Sequence, residues 1–193
     1  MFLIAIEGLD GAGKSTLCAA LQAKDWRPFK VAVTPTPHEE LSATCYRLRG
    51  RNPEASMLAF LLGSKAVCVE YRQADVLVVD RYVLSTIVHH REIYDLWGRS
   101  FDLFLRAMDF RSPDLTVLLE PGLTLAAQRI SARSNDRPLI VELDEQERRY
   151  QAALSEERVE PLLGEVLKRE TIYPDSVDEI SSELVELVRR RLS

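Results

Sequence analysis

The sequence predicts an α/β domain built on a parallel sheet, and three observations carry that expectation. Short β-branched runs alternate with longer stretches of helical periodicity, the order that a parallel sheet with crossover helices requires. Strand candidates such as Val76-Leu-Val-Val79 are apolar throughout, which suits strands covered on both faces. A glycine-rich turn joins the first strand candidate directly to the first helix. With 193 residues, 46% of them hydrophobic and 28% charged, the chain is expected to form one domain over 1–193 with a substantial core.

Taken in order, strands are expected at Phe2–Glu7, Lys30–Thr34, Asp75–Asp80, Leu115–Glu120 and Glu170–Tyr173. Helices are expected at 14–24, 39–48, 55–73, 84–109, 123–133, 141–168 and 176–192. The last carries Val177, Ile180, Leu184, Leu187, Val188 and Leu192 at helical spacing and reads as a packing helix. Its Arg189-Arg190-Arg191 end places cations at the negative pole of the helix dipole. Segments 34–38 and 133–138 are loop candidates from their Pro, Thr, Ser, Asn and Asp content. The apolar helix at 55–73 suits either a buried position or a homodimer surface.

Net charge of −5 argues against nucleic acid or an anionic membrane as the main partner. Nor does any apolar stretch approach the roughly 18 residues of a membrane span. Cys18, Cys45 and Cys68 are isolated, with no C-x-x-C pair, and the short N-terminal apolar run feeds a loop instead of forming a secretory signal. A cytoplasmic protein is expected.

Gly8-Leu-Asp-Gly-Ala-Gly-Lys-Ser15 fits the phosphate-binding pattern G-x-x-x-x-G-K-[ST]. Glycine at 8, 11 and 13 lets the backbone of Gly8–Thr16, with Asp10 and Ala12 between, turn its N–H groups inward around phosphate oxygens. Lys14 reaches the outer phosphates, the Ser15 hydroxyl helps to hold Mg²⁺, and the following helix aims its positive pole at the same anion. The strand before and helix after supply the context that the pattern needs. The loop implies a bound nucleoside triphosphate. A second element, Asp80-Arg81-Tyr82, ends the third strand candidate, at the sheet edge where ligands of open α/β sheets sit. There Asp80 can join Ser15 on Mg²⁺, and Arg81 is free to fork onto a second phosphate.

Phe2-Leu-Ile-Ala-Ile-Glu-Gly-Leu-Asp-Gly-Ala-Gly-Lys-Ser15 resembles the opening of thymidylate (dTMP) kinases. So do Asp80-Arg81-Tyr82-x-x-Ser85, Pro113-Asp114-Leu-Thr-Val-Leu-Leu-Glu120 and, more loosely, the arginine-bearing lid segment at about 129–140. The resemblance spans nearly the whole chain. It implies a three-layer αβα P-loop fold with a five-stranded parallel sheet ordered 2-3-1-4-5. It implies transfer of the γ-phosphoryl group of ATP to a nucleoside monophosphate, with Mg²⁺ and with dTMP as acceptor. Asp10 would then face the acceptor sugar, and Gly11, where some members carry an arginine, would leave catalytic charge to Arg133 and Arg137. Arg129 would pack on adenine, and Tyr173-Pro174-Asp175 would line the adenine site.

Departures cluster at the acceptor. The family's arginine after strand 2 is replaced by Thr34-Pro-Thr-Pro-His38; Arg47 and Arg49 on the next helix candidate are open to two readings, compensation for that arginine and, the preferred one, ordinary surface charge. The stacking Phe and its Arg four residues on fall at Leu61 and Lys65, with Phe60 turned about 100° away. Beside Tyr82, Thr86 replaces a base-contacting Ser or Asn, and His89 replaces the Tyr beside the sugar 2′ position. The adjacent His89-His90 pair diverges around the helix, so a shared metal ion is disfavoured and His90 is expected to be exposed or satisfied within the fold. Two alternatives stay open: a kinase of the same family acting on another pyrimidine nucleotide or a deoxynucleoside, and a nucleotide-binding protein without transfer activity.

Overall fold

The computed structural model describes residues 1–133, 140–169 and 174–193, with the side chains of Glu39, Glu40, Arg133, Ile140, Pro174 and Asp175 outside the described part. Five parallel strands, β1 (Phe2–Gly8), β2 (Val31–Pro35), β3 (Val76–Asp80), β4 (Leu115–Leu119) and β5 (Glu165–Arg169), form one sheet in the order β2-β3-β1-β4-β5. This is the expected fold. Strand pairing sets Ile6 opposite Asp80, Pro35 opposite Asp80 and Gly8 opposite Leu119. The carboxyl ends of β1, β2, β3 and β4 therefore meet along one edge, and the glycine-rich loop leaves from its middle.

The central strands are buried on both faces. Leu3, Ile4, Ile6, Val76, Leu77, Val78, Val79 and Val117 have no exposed surface, as their unbroken apolar runs require. Helix α1 (Lys14–Ala23) packs beside α9 (Pro174–Leu192), which buries Leu184 and Val188. At the end of α9, Arg189 donates to the Asp25 carbonyl at 2.9 Å and Arg191 pairs with Glu165. Those cations tie the helix to neighbouring turns. Helices α2 (Glu39–Arg49) and α3 (Pro53–Glu70) pack together. The side chain of Asn52 caps α3 by accepting from the Ala55 N–H at 2.9 Å, satisfying one of the orphan donors of its first turn.

Two expected elements need correction. The helix expected at 84–109 is three: α4 (Val83–His89), α5 (Arg91–Trp97) and α6 (Arg99–Ala107). Gly98, at φ +50°, makes the second break, in a backbone region that side chains disfavour. Tyr94 and Phe101 on either side of it meet edge to face at 5.0 Å in the core. The helix expected at 141–168 is α8 (Ile140–Leu154), followed by a 3₁₀ turn at Glu160–Leu162 and then β5. Pro161 and Gly164 stop helix propagation. The last described strand is Glu165–Arg169; the strand expected at Glu170–Tyr173 falls outside the described residues. Helix α7 (Leu123–Arg133) has the expected bounds. Among the described residues no helix is long and apolar enough to cross a membrane.

Candidate functional site

The loop between β1 and α1 owes its shape to close backbone contacts. Gly8, at φ +135°, lies so near β4 that an added Cβ would sit 2.2 Å from the Leu119 carbonyl oxygen. Gly11, at φ +78°, is equally tight against α7, where a Cβ would come 2.4 Å from the Ala126 carbonyl. Gly13 is the N-cap of α1 and has no side chain to satisfy the first turn. The first N–H groups of α1 are therefore open toward the loop, a ready anion site.

Lys14 is buried and its ammonium donates to the carbonyls of Gly8 at 2.9 Å and Leu9 at 2.6 Å. Burial first, then the nearby Arg81, pushes its pKa down to about 7, with Asp10, Asp80 and Glu7 opposing. The exposed Ser15 hydroxyl donates to the Asp80 carboxylate at 2.7 Å. Arg81 follows Asp80 at φ +72°; its guanidinium turns back across the loop and pairs with Asp10. Burial opposes the charge on Asp10, yet Arg81, His89 and Lys14 together hold its pKa to about 2. These five side chains border one cavity of ≈ 200 Å³, completed by Thr36, Ser42 and Tyr46. Thr16 stands exposed beside it.

Two groups that sequence reasoning missed hold this arrangement. Glu7, fully buried at the end of β1, accepts from the N–H groups of Tyr82 at 2.9 Å and Ser85 at 3.1 Å and from the Ser85 hydroxyl. Burial pushes its pKa up, while the Ser85 hydrogen bonds pull it down. Glu7 fixes the chain where Asp80-Arg81 turns into α4. Gln146 on α8 accepts from the Asp10 N–H at 2.9 Å and donates to the Asp10 carboxylate at 3.3 Å. One turn on, the Tyr150 hydroxyl donates to the Gly8 carbonyl at 3.0 Å. No local motif marks either residue; the only sequence signal is that a glutamate interrupts an otherwise apolar strand at Glu7.

A second, narrower cavity adjoins the first, with room of ≈ 20 Å³, about one water molecule. Tyr46, Arg49, Phe60, Thr86, His89 and His90 line it, next to Arg81 and Ser85. The placement of α3 corrects the expected register by one residue. Leu61 is fully buried in the core, and Lys65 donates to the Asp109 carbonyl at 2.6 Å, away from the cavity. Phe60 faces the cavity instead, 5.5 Å from the Tyr46 ring and 5.6 Å from His90. Ser64, four residues on, occupies the helical position of the expected cation. Arg49, read as a surface charge, is brought to the cavity by the end of α2. Tyr82 is a core residue whose hydroxyl donates to the Arg111 carbonyl at 2.8 Å. Thr86 is buried, with its hydroxyl donating to the Tyr82 carbonyl at 3.3 Å. His90 is satisfied within the fold by the Thr86 carbonyl and the Ser56 hydroxyl, each at 3.0 Å. Among the described residues no group of three or more His, Cys, Asp and Glu is arranged around a metal position.

Arg129 reaches the loop from α7, donating to the carbonyls of Gly11 at 3.3 Å and Ala12 at 3.2 Å. The Arg133 side chain, Arg137 and Tyr173 lie outside the described residues.

Comparison with known proteins agrees with this geometry. No family model matches the sequence. The chain is 27% identical over 136 residues to a probable thymidylate kinase 1 of Saccharolobus solfataricus, covering 66% of this chain and 69% of that one. It is 26% identical over 204 residues to a thymidylate kinase of Leptospira borgpetersenii, covering 98% and 94%. The chain is a phosphotransferase. A solved structure of deoxyadenosine kinase from M. mycoides with bound dATP superposes with a TM-score of 0.67 at 18% identity, over 95% of this chain and 99% of that one. Fold and relatives support a P-loop kinase of nucleosides or nucleotides.

Proposed function

We propose that the protein transfers the γ-phosphoryl group of ATP to a nucleoside monophosphate, with dTMP the first acceptor to test. The observation that carries this reading is the convergence of Lys14, the Ser15–Asp80 pair and the Arg81–Asp10 pair on one cavity at the carboxyl edge of the sheet. Phosphoryl transfer asks for in-line positioning and charge stabilisation more than for covalent chemistry. The loop N–H groups and Lys14 grip the ATP phosphates. Hard oxygen donors suit Mg²⁺, which keeps most of its water and needs few protein ligands; Ser15 and Asp80 are adjacent and of that type. When bound, the ion neutralises charge on the β- and γ-phosphates. Arg81 exchanges Asp10 for the acceptor phosphate, whose oxygen forms the new P–O bond as the γ-phosphorus parts from the bridging oxygen of ADP. Asp10, released, faces the acceptor sugar. Arg133 and Arg137 supply further charge from the lid, and Arg129 passes from the loop carbonyls to the adenine ring.

A monophosphate also suits the acid–base inventory. Its second ionisation lies near pH 6, so the attacking oxygen is anionic at neutral pH without a base. A deoxynucleoside needs its 5′-hydroxyl deprotonated, and the described carboxylates of the cavity are engaged by Arg81 and Ser15. A homodimer is supported by the exposed Leu62 and Val69 on α3.

The test is ADP release from purified protein with Mg-ATP and a panel of nucleosides and monophosphates. Turnover with dTMP supports the proposal. Turnover confined to nucleosides moves the acceptor class, and ATP binding without acceptor-dependent turnover leaves a nucleotide-binding protein.

A further inference from the structure

The edge of the sheet opposite the phosphate loop carries a cleft of its own. It has a volume of ≈ 520 Å³ and lies between the C-terminal part of α3 and the turn from α6 into β4. Lys65, Arg72 and Arg111 line it together with Cys68, and among the described residues around it Asp109 is the one carboxylate. None of these five borders the cavities around the phosphate loop or His89. The Asp109 carboxylate, exposed and 3.7 Å from Lys65, can balance only one of the three cations. Positive charge is therefore in excess here, although the chain as a whole carries −5.

Two of the three cations are held in place by the fold. Arg111 spends one nitrogen, Nη2, on the Met1 carbonyl at 2.7 Å and the Asp114 carboxylate at 2.9 Å. The same Asp114 oxygen accepts from the Leu3 N–H at 2.7 Å, which ties the guanidinium to the start of β1. Its other nitrogens keep their N–H groups for a ligand. Lys65 gives one of its three N–H groups to the Asp109 carbonyl at 2.6 Å. Arg72, just past the end of α3, has no hydrogen bond or ion pair among the described residues. The inner wall is equally fixed. The buried Cys68 thiol lies 3.3 Å from the Tyr82 hydroxyl, which donates to the Arg111 carbonyl at 2.8 Å. Donors set before a ligand arrives cost less to order when it binds.

Lys65 and Arg72 are seven residues apart, about 10 Å along the helix direction. A single phosphate or carboxylate would meet one cation and leave the others unanswered, whereas a chain of phosphates reaches all three. Ammonium and guanidinium groups are the usual partners of such oxygens, and the volume falls within the roughly 300–1,000 Å³ of small-molecule sites. We propose that Lys65, Arg72 and Arg111 form a second anion site, separate from the phosphate loop, that takes a chain of two or three phosphates, free or as the tail of a nucleotide.

The experiment is calorimetric titration of inorganic tripolyphosphate, in magnesium-free buffer at low salt, into the wild type and Lys14→Met. Lys14→Met weakens the phosphate loop and leaves the cleft intact, so a tripolyphosphate site should persist in it. In that background, Lys65→Gln with Arg72→Gln should raise the Kd of this site about tenfold, the effect of removing two charges from an exposed cleft. Arg72→Gln alone changes only an exposed side chain, so folding is preserved, and should raise the Kd about threefold. Titration of dTTP into the same proteins separates the two sources. Binding tighter than that of tripolyphosphate, and sensitive to Arg72→Gln, identifies a nucleotide; weaker binding identifies a free polyphosphate. Absence of binding in Lys14→Met, or binding that the cleft substitutions leave unchanged, overturns the proposal. No turnover enters the test, so its outcome is independent of the kinase reading.

Discussion

Lys14 makes the site sensitive to pH in a range where lysines ordinarily are not. Its ammonium is buried against two carbonyls, and with burial the leading cause its pKa is about 7, against the usual ~10.4. The sign follows directly. A cationic group with a depressed pKa is charged below that value and neutral above it, so the form able to grip the phosphates is lost as pH rises through 7. In the free protein about half of Lys14 is charged at pH 7, about a tenth at pH 8 and about a hundredth at pH 9. Bound triphosphate favours the charged form, so binding must return the proton. The Kd for Mg-ATP should thus rise about tenfold per pH unit between 7.5 and 9, or about 1.4 kcal/mol per unit. Calorimetric titration at pH 8 in buffers of different ionisation enthalpy should show uptake of nearly one proton per ATP, because the nucleotide itself no longer titrates there. Lys14→Met should bind more weakly and lose both the slope and the proton uptake. A flat Kd from pH 7 to 9 with no proton uptake in the wild type would refute the reasoning.

Arg81→Ala should lower kcat/KM for the monophosphate by about tenfold to a hundredfold and raise its KM more than that of ATP; unchanged constants in steady-state kinetics would show that the acceptor phosphate sits elsewhere. Glu7→Ala leaves the N–H groups of Tyr82 and Ser85 without their buried acceptor, a cost of about 3 kcal/mol, to be read as a lower urea midpoint at unchanged m-value. Gly8→Ala forces β1 and β4 apart at a position of φ +135°. Strain of about 3 kcal/mol should lower Tm by roughly 6–12 °C in a scanning calorimeter, and an unshifted Tm would mean that the loop relaxes without opening the sheet.

Much of the fold was legible because its central strands obey one rule. Full burial on both faces demands unbroken apolar runs, and Phe2–Glu7, Asp75–Asp80 and Leu115–Glu120 announce themselves that way. β5 does not, because it is an edge strand. Glu165-Val-Leu-Lys-Arg169 exposes most of its residues, so only its pairing with β4 defines it. The phosphate loop and Asp80-Arg81 were legible because their chemistry is contiguous in the chain. The lining of the narrow cavity was not, because its residues come from α2, α3 and α4 and depend on helix rotation. A register error of one residue on α3 exchanges Phe60 for Leu61, about 100° around the helix. Arg49 carries no local sign that the fold will bring it to His89. Gln146 is one polar residue in a charged helix until α8 docks.

That docking has a consequence for how the chain tolerates change in length. Gln146 and Tyr150 are one helical turn apart, and both end on the phosphate loop, at Asp10 and Gly8. The pair acts as a two-pin key. A residue inserted between the pins would turn one pin about 100° relative to the other, and Asp10 and Gly8 could no longer both be met. Within those four residues, spacing is fixed by a loop more than a hundred positions away in the chain.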